Sequence, residues 1–128
     1  MFNSQGETFP ESHKLFYAGV NMYELRRTYV TLPGKERQVA SIIQRMGQIL
    51  VDAGMRNLFQ VSFSGGTTPG DKQLVRMTWT SETIESTYRG GRENPTEYTA
   101  MMSLRNELTT DTWIEFSELM IDDKLVDA

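Results

Sequence analysis

Apolar and polar residues follow two different periods along this chain, and the changes of period mark its elements. From Phe16 to Leu32 (FYAGVNMYELRRTYVTL) aromatic and β-branched residues are dense, which predicts a strand. Its two faces are both mixed: Tyr23, Leu25, Arg27 and Tyr29 share one, while Glu24, Arg26, Thr28 and Val30 share the other. Pro33-Gly34 ends this run. Val39, Ile42, Ile43, Met46, Ile49, Leu50 and Ala53 then recur at steps of three and four, the stripe of an amphipathic helix. Gly54 stands where a left-handed residue would close that helix without a Cβ penalty.

Alternation returns between Asn57 and Ser64, where Phe59, Val61 and Phe63 interleave with Gln60 and Ser62. It recurs from Gln73 to Thr80, with Val75, Met77 and Trp79 on one face and Leu74, Arg76, Thr78 and Thr80 on the other. The two runs, joined across Gly65-Gly66 and Pro69-Gly70, predict an antiparallel hairpin. A short helix is expected from Glu82 to Tyr88. A longer one opens at Asn94-Pro95-Thr96-Glu97, with Asn94 as N-cap, Pro95 at the first helical position and Glu97 in a capping-box position. Its expected buried face is Tyr98, Met101, Met102, Leu104 and Leu108. Thr112 to Ile121 fits either period, and its Trp, Phe and Ile residues favour a strand.

The resulting order is β-α-β-β-α-β, the split βαβ or ferredoxin-like arrangement of the α+β class. It predicts a four-stranded antiparallel sheet with both helices on one face. The other face then needs a second subunit, a ligand or enough polarity to stay wet. Leu58, Gln60, Ser62, Ser64, Leu74, Arg76, Thr78 and Thr80 are mixed in character, so a partly enclosed cavity is expected there. Residues 1–14, aperiodic and containing Gly6 and Pro10, predict a flexible arm ahead of a single domain over 15–128.

Composition narrows the chemistry. The 128 residues suit one domain, and a net charge of −4 argues against a dedicated nucleic-acid binder. No apolar run is long enough for a membrane span, and the opening MFNSQGETFPESHK lacks the pattern of a secretory signal, so a cytoplasmic location is expected. There is no Cys, and the single His, His13, falls in the arm. Haem ligation, a catalytic zinc site and a Ser-His-Asp triad are therefore all poorly supplied, and neither cofactor nor metal is expected. Gly65 to Gly70 lacks the Lys-Ser/Thr ending of a phosphate loop and reads as a turn.

Arg76, mid-strand between apolar neighbours, is the most informative charge. It could hold an oxyanion, enolate or carboxylate in a cavity, or pair with Glu115 or Glu24 across the sheet. Tyr23, Tyr29 and Trp79 could line an aromatic pocket or simply pack in core or interface. Gln60 and Ser62 could donate hydrogen bonds into the cavity or form the wet side of a half-exposed strand.

The stretch Met22-Tyr23-Glu24-Leu25-Arg26-Arg27-Thr28-Tyr29, followed by Val30-Thr31-Leu32-Pro33-Gly34-Lys35, resembles the opening of NIPSNAP-like domains of the dimeric α+β barrel superfamily. Leu74-Val75-Arg76-Met77-Thr78-Trp79 is similar to that family's third strand, with Arg76 where a histidine is common. Asn94-Pro95-Thr96-Glu97-Tyr98 resembles the start of its second helix. Either Arg26 or Arg27 takes the family's arginine place. The resemblance implies a homodimer whose sheets form a barrel, each subunit enclosing a cavity between sheet and helices. It further implies a small-molecule site of the kind used by antibiotic-monooxygenase-like relatives: cofactor-independent monooxygenases, cyclases or isomerases of aromatic or polyketide-like substrates. On that reading Arg76 and Tyr23 are the catalytic candidates, and Tyr29, Gln60, Ser62 and Trp79 bind substrate. A non-catalytic dimerisation or ligand-sensing module is the alternative.

Overall fold

The computed structural model describes residues 22–84 and 93–127. Strand β1 (Tyr23–Thr31) runs into the turn Leu32-Pro33-Gly34-Lys35, closed by the Lys35 N–H donating to the Leu32 carbonyl at 3.1 Å. Proline fixes φ at the second position of that turn. Gly34, at φ +77°, supplies the left-handed third position that a type II turn demands. Helix α1 (Glu36–Asp52) follows and ends in a Schellman motif: Gly54 N–H donates to the Val51 carbonyl, and Met55 N–H to the Leu50 carbonyl. Gly54 takes φ +70° there, as the sequence predicts.

Strands β2 (Phe59–Ser64) and β3 (Leu74–Ser81) form the expected hairpin. Helix α2 (Thr96–Leu108) passes directly into β4 (Thr109–Glu118), and a turn of 3₁₀ helix at Asp122–Lys124 follows. The sheet order is β2-β3-β1-β4 with every neighbouring pair antiparallel, so the arrangement is the expected ferredoxin-like α+β one.

Three local expectations change. The last strand starts three residues earlier than Thr112 and stops at Glu118, not Ile121, because β1 offers it a pairing edge from Tyr23 to Thr31. That long-range ladder decides between two periods that the local sequence left open. The N-cap of α2 is Pro95 in extended conformation, not Asn94, and no side chain caps the helix. Glu82 to Ile84 are not helical, and the rest of the expected short helix, like residues 1–21, lies outside the described residues.

The core sits between α1 and the sheet. Val39, Ile42, Ile43, Met46 and Leu50 are buried against Tyr29, Val75 and Met77. Gly47 lets the helix come close: a Cβ there would lie 2.6 Å from the Phe59 ring. Leu104, expected on the buried face of α2, is 43% exposed. Arg105 takes the inward position instead, and the next residue round a helix points about 100° away.

Candidate functional site

Strand pairing arranges the helix-facing side of the sheet in rows. Tyr29 lies between Val75 and Thr112, Arg27 between Met77 and Ile114, and Leu25 between Trp79 and Phe116. These three rows, apart from the core residue Val75, form the floor of a cavity of about 710 Å³. Its roof is Ile43 and Met46 from α1 and Tyr98, Met102 and Arg105 from α2. Met55, Arg56 and Asn57 close one side, delivered there by the Schellman turn at Gly54. Asn57 is tied to β3 by its Nδ2, which donates to the Thr80 carbonyl at 2.8 Å. The volume falls in the range of small-molecule pockets.

The wall is aromatic and cationic. The Arg56 guanidinium lies 4.2 Å from the Trp79 ring centre, and its Nη1 donates to the Met77 sulfur at 3.2 Å. Arg105 lies 5.3 Å from the Tyr29 ring centre, inside cation–π range, and its Nε and Nη2 donate to the neutral Asn106 side chain. Burial pushes the Tyr29 phenol above its ordinary value. Arg105 pulls the other way, neighbouring Tyr98 adds to the rise, and Arg27 opposes it. Tyr29 is thus held as a neutral hydroxyl, able to donate a hydrogen bond at neutral pH.

The opposite face of the sheet carries a different set. Arg26 pairs with Glu115 at 3.1 Å, and Trp113 Nε1 donates to the same carboxylate at 3.3 Å. The Arg26 hydrogen bond is the main reason that the exposed Glu115 carboxyl is held below its ordinary value, with Trp113 and Arg76 pulling the same way. Trp113 is 41% exposed on this helix-free face.

The candidates named from the sequence therefore divide between the two faces. Tyr29 and Trp79 line the cavity together. Arg76 and Ser62 are cross-strand neighbours on the helix-free face, with Gln60 two residues from Ser62 on the same side. Tyr23 lies one row beyond the cavity floor, between Ser81 and Glu118. Alternation separates Arg26 from Arg27: Arg27 faces the cavity and Arg26 faces away. Sequence reasoning missed Arg27, Arg56 and Arg105 as cavity residues. The signal for Arg105 was present, since it stands four residues after Met101 and three after Met102, in the middle of the apolar face.

Among the described residues no group of three or more His, Asp or Glu gathers as a metal site, and no helix is long and apolar enough to cross a membrane.

No protein-family model and no curated protein matches the sequence. Solved structures do match the fold. A NIPSNAP family protein from Agrobacterium tumefaciens superposes with a TM-score of 0.64 at 15% identity, over 81% of this chain and 90% of that one. A Chloroflexus aurantiacus protein, named provisionally as an antibiotic biosynthesis monooxygenase, gives 0.58 at 12% identity over 77% and 93%. A dimeric protein of unknown function and ferredoxin-like fold from Bacteroides fragilis gives 0.55 at 12% identity over 77% and 96%. At such identities no side chain's role carries over. The chain shares its α+β ferredoxin-like fold with NIPSNAP and antibiotic-monooxygenase-like proteins.

Proposed function

We propose that this chain binds a small, partly aromatic organic molecule in the cavity between sheet and helices, and that it does so as a homodimer. The observation that carries the reading is the cavity itself: a space of about 710 Å³ floored by Leu25, Trp79 and Phe116 at one end and bordered by Tyr29 and Arg105 at the other. The one-sided helix layer supports the dimer reading. The helix-free face, with Trp113 half-exposed, needs cover, and a twin chain laid against it would close an α+β barrel. The Bacteroides fragilis protein of the same fold is a dimer by its own description, which supports that reading. Arg76, Gln60 and Ser62 then belong to the seam between subunits.

The activity that such a wall supports best is cofactor-independent oxygenation, cyclisation or isomerisation of an enolisable or phenolic substrate. Arg27 and Arg105 would balance the oxyanion of a substrate whose proton passes to water, while Tyr29 donates a hydrogen bond to that oxyanion. A second reading, ligand sensing without turnover, is favoured by one feature. The described wall contains no Asp, Glu or His, the usual general bases.

Titration of a Trp113→Phe chain with naphthol tests the binding claim, because Trp79 is then the sole indole. Saturable quenching is expected, and the unmodified chain should scatter light as particles of twice the 14.7-kDa chain mass. Quenching that rises linearly without saturation, in a monomer, would contradict the proposal.

A further inference from the structure

The chain as a whole is acidic, with 17 Asp and Glu against 13 Lys and Arg. Its cavity is the reverse. The described wall holds Arg27, Arg56 and Arg105 and no carboxylate. Arg27 sits mid-strand on the inner strand β1, with Met77 and Ile114 as its cross-strand neighbours. Arg105 occupies the centre of the inward face of α2, where helical periodicity would otherwise place an apolar residue. The ion pairs among the described residues are Arg26–Glu115 and Lys124–Glu118, so neither Arg27 nor Arg105 is matched by a carboxylate there.

Both guanidinium groups are partly buried in one cavity and have no carboxylate partner among the described residues, which leaves their charge available to an anion from outside. Arg105 lies over the Tyr29 ring, and Arg27 shares the floor two residues before Tyr29, so both flank one spot. Phe116 and the Trp79 ring, over which Arg56 lies at 4.2 Å, provide flat aromatic surface at the far end of the same floor.

We propose that the cavity selects an organic anion with a flat apolar body, of the aromatic carboxylate class. Its charged head lies between Arg27 and Arg105 beside the Tyr29 hydroxyl, and its ring lies towards Trp79. A guanidinium fork suits the two oxygens of a carboxylate, which a neutral amide of the same shape cannot match. The inference rests on the cavity reading above and adds the charge of the ligand to it.

Calorimetric titration of the unmodified protein with naphthoate and with its neutral isostere naphthamide separates the two claims. Naphthoate is expected to bind at least about tenfold more tightly, the range of a charge-assisted hydrogen bond. Arg27→Gln and Arg105→Gln should each shrink that gap severalfold, by weakening naphthoate more than naphthamide, and Arg105→Lys should restore part of it. Equal affinities in the unmodified protein would overturn the anion claim and leave the cavity reading standing. So would a gap that survives both glutamine variants. Binding of neither probe would remove the cavity reading and the anion claim together. The comparison in the unmodified chain decides even where Arg27→Gln fails to fold.

Discussion

Two adjacent arginines show how much a single residue step decides. Arg26 and Arg27 are chemically identical, yet strand alternation sends one to an exposed pair with Glu115 and the other to the floor of a cavity. The exposed pair is worth little to stability, because solvent screens it. Tyr29, two residues further on, carries a testable pH signature. Its phenol ionises at a higher pH in the folded protein than its ordinary 10.0 because it is buried. The unfolded chain therefore loses that proton first. The corresponding stabilisation is complete below pH 10 and is lost as pH rises through the folded value. Urea midpoints measured between pH 9 and 11 should fall more steeply for the native chain than for Tyr29→Phe. Parallel slopes would show that Tyr29 is not held neutral by the fold.

At the scale of elements, α1 was legible because its core stripe and its Gly54 stop agree with each other and with the fold. Leu50, fully buried beneath that stripe, should cost about 2–5 kcal/mol on truncation to Ala. Leu104→Ala should change stability by only about 0.5 kcal/mol, as expected of a surface position. Denaturant unfolding of the two variants checks this. A loss at Leu104 as large as at Leu50 would mean that α2 is turned differently. The sequence pattern grouped Leu104 with the core because Leu was counted as inward and Arg as outward. The structure reverses the two, since the roof of the cavity takes a cation. The β1, β2 and β3 alternations were equally readable. The bounds of β4 were not, because they depend on an edge that is distant in the chain, from the Thr31–Thr109 pair at one end to the Tyr23–Glu118 pair at the other. Whether a strand face looks toward the helices or away from them is also a tertiary fact. Alternation alone already sets Arg76 and Trp79 on opposite faces; that the cavity lies on the Trp79 side, leaving Arg76 outside it, is what the tertiary structure adds.

For the whole molecule, one sheet presents two faces of different chemistry. Its helix-facing side keeps a cationic, aromatic cavity, and its other side presents Trp113, Arg26, Glu115 and Arg76 to a proposed twin chain. The methionines report on this division without mutation. Met46, Met55, Met77 and Met102 line the cavity, while Met22 and Met120 do not. Methyl NMR spectra of the methionine-labelled protein, recorded as naphthoate is added, should show those four signals moving together to a common saturation while Met22 and Met120 stay in place. Signals that all stay still, or shifts confined to Met22 and Met120, would contradict a ligand site between sheet and helices.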